Sequence, residues 1–224
     1  MMATTRSVID EQATALTRAR YQRLSAVYDL MEGMAEARYR PWREKLWAQV
    51  EGPRVLEVGV GTGKNMPHWP TDAQVTGIDL TPGMLEIARR RMRQTDLAAD
   101  LRLGDAQALD FPNATFDTAV ATFVFCSVPY PVLGLRELAR VVRPGGRVLL
   151  LEHMRSANPI LGALMDFINP LVVRLMGANI NRWTVENVQA SGLQVESVED
   201  LGTGGIFKLI VARVGNEIDL GGPT

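Results

Sequence analysis

The pattern of apolar positions changes at Arg54. Over residues 7–48, Leu24, Val27, Tyr28, Met31 and Met34 recur at steps of three and four, which is the spacing of one helix face. Gly33 and Pro41 are expected to divide this stretch into at least two helices. From Arg54 onward, short apolar runs alternate with helix-patterned segments. RVLEVG (54–59), QVTGID (74–79), DLRLGD (100–105), FDTAVAT (116–122) and RVLLLEH (147–153) predict five strands. Helices are predicted from Pro82 through MLEIARRRM and from Pro131 to Val142, with Pro144-Gly145-Gly146 stopping the second.

The most apolar stretch, Asn158 to Met176, is interrupted by Asp166, Asn169, Pro170 and Arg174. It predicts two short helices hinged at Pro170 rather than a membrane-spanning one. A polar helix over Thr184 to Ala190 closes at Gly192. LQVESVED and IFKLIVARV are separated by the Gly202–Gly205 turn, too short for a crossover helix, so they predict an antiparallel hairpin at one sheet edge. Strands alternating with helices imply a mainly parallel sheet covered on both faces. The tail GNEIDLGGPT has no core pattern and is expected to be disordered.

Composition narrows the function classes. With 224 residues, 46% hydrophobic and 22% charged, the chain has the profile of a soluble α/β domain with an N-terminal extension. A net charge of −1 gives no global attraction to nucleic acid. A single cysteine, Cys126, excludes an intrachain disulfide, and two histidines, His68 and His153, form no zinc pattern, so no metal is expected. The N-terminus is polar and lacks the apolar run of a signal peptide, so a cytoplasmic location is expected.

In an open parallel sheet, ligands bind beyond the carboxyl ends of the strands. Glu57-Val-Gly59-Val-Gly61-Thr-Gly63 follows the first strand. Its glycines serve either a plain turn needing positive φ or a ligand approached closely by backbone. The spacing is G-x-G-x-G, and Lys64 stands where a dinucleotide fingerprint would place its third glycine. Glu57 suits a cationic ligand, for example a protonated amine reached through ordered water, better than a pyrophosphate. Both features count against a nicotinamide-dependent oxidoreductase. Asp79 ends the second strand, where an acid either accepts hydrogen bonds from ribose hydroxyls or caps the next helix, a task Thr81 could equally perform. Gly104-Asp105-Ala106 ends the third strand and could read an adenine edge or be an exposed turn.

Together, E-x-G-x-G-x-G, the acid closing strand two, G-D-A and Arg143-Pro-Gly-Gly146 resemble a class I S-adenosylmethionine-dependent methyltransferase over roughly residues 21–213. Tyr28-Asp29-Leu-Met and Arg40-Pro-Trp-Arg43 resemble the ubiquinone/menaquinone C-methyltransferase and bacterial phospholipid N-methyltransferase group. Glu152-His153 and Phe125-Cys126-Ser127-Val128 are also similar to membrane-associated thiol methyltransferases. The resemblance implies a doubly wound, Rossmann-like seven-stranded sheet with an antiparallel C-terminal hairpin. It implies an N-terminal helical lid (1–50), a cofactor-binding domain (51–214) with a helical lid insert (154–183), and a tail (215–224). Gly59, Gly61 and Gly63 would wrap the methionine and ribose. Asp79 would hold the ribose, Leu80 and Met84 would pack on adenine, and Asp105 with Ala106 would read its edge. The Thr122–Phe125 segment, with Phe123, would pass beneath the sulfonium.

Methyl transfer is an in-line displacement in which alignment and exclusion of water carry much of the catalysis. A base is needed only for a protonated acceptor. His153 is a base candidate and equally a structural histidine; Tyr28 either orients the acceptor or belongs to the helix stripe. Cys126 reads as a small buried apolar residue. The place after strand four lacks the [ND]-P-P-[FY] run of enzymes that methylate planar amino groups, so nucleic-acid amines are not expected acceptors. The insert carries Arg155, Arg174 and Arg182 against Asp166 beside Leu161, Leu164, Met165, Phe167, Ile168 and Leu171. Basic plus apolar suits an amphipathic acceptor at a membrane surface, or else simple cover for the sheet edge. The expected acceptor is a phospholipid headgroup amine, followed by a quinol carbon and then a small-molecule thiol.

Overall fold

The computed structural model describes residues 10–216, except for seven helical side chains: those of 26, 27, 31, 32, 34, 35 and 176. A long helix α1 (Glu11–Trp47) leads into strands β1 (Arg54–Val58) and β2 (Gln74–Asp79), helix α2 (Pro82–Met92), and strands β3 (Ala99–Leu103) and β4 (Phe116–Thr122). Helix α3 (Pro131–Val141) runs into β5 (Val142–His153), followed by α4 (Pro159–Met176), α5 (Thr184–Ala190), β6 (Gln194–Leu201) and β7 (Phe207–Arg213). The seven strands form one sheet in the order β3-β2-β1-β4-β5-β7-β6. β1 to β5 are parallel neighbours, whereas β7 runs antiparallel between β5 and β6. The predicted doubly wound architecture and terminal hairpin are both present.

Period-two alternation builds two cores, one on each sheet face. Leu56, Val58, Ala119, Ala121, Val148, Leu150 and Ile210 pack with Leu135 and Leu138 of α3 and Val188 of α5. Val55, Val120, Leu149, Leu151 and Val211 pack with Leu46 and Trp47 of α1 and Leu85 and Ala88 of α2. Both faces are covered, so β4 is buried at every position.

Three expectations about boundaries are corrected. α1 is one helix of 37 residues that runs through Gly33 and Pro41. Gly33 weakens a helix without stopping it, by about 1 kcal/mol. Pro41 removes one hydrogen bond on an exposed face, while Leu46 and Trp47 anchor the following turn in the core. α4 likewise passes through Pro170, which lies on the exposed side of a single 18-residue helix. β5 begins at Val142, before the Pro-Gly-Gly sequence expected to precede it. Gly145 has φ +71°, and a Cβ at Gly146 would lie 2.5 Å from the Asp117 carbonyl oxygen. These glycines let β5 bulge past β4, whose pairing shifts from Phe116↔Val142 to Thr118↔Arg147. The predicted disordered tail falls largely outside the described residues.

Candidate active-site cleft

Strand order reverses between β1 and β4, and a cleft opens where their carboxyl ends diverge. Val58 delivers the chain into the Gly59–Gly63 turn, in which φ is +68° at Gly59, +56° at Gly61 and +85° at Gly63. Val60 N donates to Ile78 O (2.9 Å), fastening the turn to β2. Gly59 and Gly63 are glycines for packing, since added Cβ atoms would meet Val124 Cγ2 at 2.4 Å and Met66 Cε at 2.6 Å. At Gly61 the nearest such neighbour is 3.9 Å away, so its backbone borders free space.

Asp79 holds this wall together. Its Oδ2 accepts from Gly61 N (2.9 Å) and its Oδ1 from Thr81 N (2.8 Å). Thr81, not Asp79, occupies the α2 N-cap position. Asp79 is 9% exposed, and burial pushes its carboxyl pKa up against these two hydrogen bonds. Each carboxylate oxygen has a second lone pair for another donor. Asp105 forms an Asx turn, accepting from Gln107 N at 2.9 Å. Gln107, buried and absent from the sequence-based candidates, accepts from Tyr130 N and donates to Thr14 of α1.

The turn after β4 forms another wall. Phe123 has φ +56°, rare for a non-glycine, and its amide donates to Leu151 O. Glu152 Oε1 accepts from Val124 N (2.8 Å) and Phe125 N (2.9 Å), so one buried carboxylate holds the turn. Burial raises the Glu152 pKa to about 7. α1 lies across the opening. Tyr21 Oη bonds Ser127 Oγ (2.9 Å), Arg18 Nε donates to Leu80 O (3.0 Å), and Gly83 N donates to Gln22 Oε1 (2.9 Å). Burial keeps Tyr21 protonated far above the usual phenol range.

Tyr28, Gly59, Gly61, Asp79, Leu80, Met84, Asp105, Ala106 and Phe123 all line this cleft. Glu57, Gly63 and His153 are not among its lining residues. Glu57 sits behind the glycine turn, accepting from Asn65 Nδ2 (2.8 Å) and Trp69 Nε1 (2.7 Å), with its pKa raised by burial to about 7. Arg43 donates to Asn65 Oδ1 and so joins α1 to that network. The His153 ring centroid lies 6.3 Å from that of Phe123, and burial lowers its pKa. Its Nε2 has no hydrogen-bond partner among the described residues. Of the glycines and acids singled out by sequence spacing, Gly59, Gly61, Asp79 and Asp105 are among the lining residues. Thr17 and Tyr21 carry no local signal, because the cleft assembles them from an element far away in the chain.

The cleft combines a backbone cradle, a carboxylate with lone pairs to spare at Asp79, an apolar shelf at Leu80 and Met84, and a polar turn at Asp105. These groups fit a nucleoside with an attached amino-acid chain. Residues 56–150 match a family model described as "Methyltransferase domain". A phosphatidylethanolamine N-methyltransferase of Cereibacter sphaeroides is 36% identical over 192 residues, covering 83% of this chain and 91% of that protein. A ubiquinone/menaquinone biosynthesis C-methyltransferase of Roseobacter denitrificans is 33% identical, covering 71% of this chain and 68% of that protein. A solved S-adenosylmethionine-dependent methyltransferase of Thermotoga maritima superposes with a TM-score of 0.68 at 20% identity, covering 88% and 99%, a likeness of fold.

Proposed function

The chain belongs to the class I S-adenosylmethionine-dependent methyltransferases, and from that premise we propose that its acceptor is the amine of a phosphatidylethanolamine headgroup. One observation carries this choice: the similarity to a phosphatidylethanolamine N-methyltransferase spans 91% of that protein, including the regions outside the shared cofactor domain. A second reading, methylation of a quinol carbon, is supported by the 33% identity to the C-methyltransferase.

In this reading the Gly59–Gly63 turn and Asp79 hold the ribose and methionine parts of S-adenosylmethionine. Leu80 and Met84 pack on its adenine, and Asp105 with Ala106 reads the ring edge. When bound, the cofactor supplies an electrophilic methyl on a sulfonium. Phe123 shields that region from water, and α1 acts as a lid whose Tyr21 and Tyr28 orient the acceptor. The Tyr21 hydroxyl keeps its proton, so it acts as a hydrogen-bond partner rather than a base. His153 stands behind Phe123. We assign it to bracing that ring, with the ammonium proton leaving to solvent. His153→Asn should then keep kcat within about threefold; a tenfold fall with a shifted pH profile would make His153 the base.

Labelled S-adenosylmethionine incubated with detergent-dispersed phosphatidylethanolamine, or with a total lipid extract, tests the acceptor. The expected result is label in methylated ethanolamine phospholipids. Label in the quinone fraction would favour the second reading, and label confined to water-soluble products would contradict both.

A further inference from the structure

α4 is amphipathic with its apolar arc turned outward. Ile160, Leu164, Phe167, Ile168, Leu171 and Leu175 are all exposed, with Phe167 at 83% and Ile160 at 81%. At 100° per residue, these six side chains occupy an arc of about 100°. Met165, about 120° around the helix from Leu171, faces inward and is buried. A helix that only covered a sheet edge would turn this arc toward the core. No helix among the described residues is long and apolar enough to cross a membrane.

The charge around the arc has one sign. Exposed Arg174 borders it. The helix's only acid, Asp166, is neutralised by Arg155 at 2.9 Å, and the same guanidinium stacks over the half-exposed Trp183 at 5.1 Å. The C-terminal end of α4 abuts α1, with Arg20 Cδ 3.2 Å from the Cβ position of Gly177. There α1 continues the pattern: exposed Leu16, Arg23 and Leu30 share one outward side with Arg20. The acids Asp29 and Glu36 of α1 are engaged with Arg91, Lys64 and Arg43.

We propose that the outward face of α4, continued by the Leu16–Leu30 side of α1, docks the protein on a bilayer containing anionic lipid, with α4 lying in the interface. A second copy of the chain fits less well, because a two-fold contact would bring this basic, apolar face against another basic face. The docking face is joined directly to the cleft wall. After α4, Asn179 N and Nδ2 both bond Cys126 O, and Arg182 Nη2 bonds Val128 O, flanking the cleft-lining Ser127. This inference deepens the lipid-acceptor reading and rests on it for its purpose, but its test is separate.

Flotation of the full chain with vesicles of phosphatidylcholine alone, or of phosphatidylcholine with phosphatidylglycerol, reads the docking. The wild type should float with the phosphatidylglycerol vesicles, less so in high salt. Ile160→Ser, Phe167→Ser and Leu171→Ser combined should cut the bound fraction at least about tenfold, with unchanged thermal unfolding. Arg174→Glu should remove the preference for phosphatidylglycerol. Equal flotation of the wild type and the triple variant would overturn the proposal, as would a wild type that stays unbound with both vesicles. A wild-type dimer that the triple variant converts to monomer would assign the face to a second copy and overturn it as well. Loss of flotation with unchanged methylation of detergent-dispersed phosphatidylethanolamine would support docking by this face. Flotation without methylation of that lipid would sink the acceptor reading and leave the docking intact.

Discussion

At the residue scale, the glycine turn separates two kinds of requirement. Gly59 is fixed by packing: a Cβ would sit 2.4 Å from Val124, in a backbone already at φ +68°. Gly59→Ala should therefore cost more than about 2 kcal/mol of stability, read by chemical denaturation. Gly61→Ala meets no clash and should cost about 1 kcal/mol from its left-handed backbone alone. It should weaken S-adenosylhomocysteine binding by more than its effect on folding, since the methyl group enters the space beside the cleft. Equal losses in both measurements would remove Gly61 from the binding wall. The glycine and acid spacing was legible in the sequence because each group ends its own strand. Gln107 and Tyr21 were not, because their importance arises from contacts such as Gln107 Nε2 to Thr14 Oγ1 across 93 residues.

At the element scale, the strands were legible because both sheet faces are covered, making each strand a short apolar run. The helix breaks were misread because Gly and Pro preferences are local, whereas the anchoring of Trp47 and Leu46 is tertiary. α1 meets the cleft rim through polar contacts from Arg18 to Leu80 O and from Gly83 N to Gln22. Such contacts are individually weak, about 1 kcal/mol each, as the lid role proposed for α1 requires. Arg18→Ala combined with Gln22→Ala should speed S-adenosylhomocysteine release about tenfold while leaving the melting temperature nearly unchanged. Stopped-flow displacement measures this, and an unchanged release rate would deny α1 a gating role.

At the scale of the whole molecule, buried acids make stability depend on pH. Burial raises both Glu57 and Glu152 to about 7, so between the usual carboxylate range and pH 7 the folded state binds protons that the unfolded state has released. Their contribution to stability is therefore fully present below the usual carboxylate range, falls steadily across mild acid, and is lost once pH passes about 7. Asp117 works in the opposite sense. Hydrogen bonding from Arg54 lowers it to about 2, a contribution lost only as pH falls toward that value. Glu152→Gln keeps one acceptor for the Val124 and Phe125 amides and removes the titration. It should flatten the fall in melting temperature between pH 5 and 8, relative to wild type, as thermal unfolding across that range reads. In the proposed function the cleft at the β1–β4 divergence is the cofactor site, with Asp79 as its principal polar contact. Isothermal titration of S-adenosylhomocysteine into the wild type and Asp79→Ala, with unliganded unfolding measured in parallel, tests this most directly. The predicted result is an affinity loss of about thirtyfold or more in a variant that remains folded; unchanged affinity would contradict it.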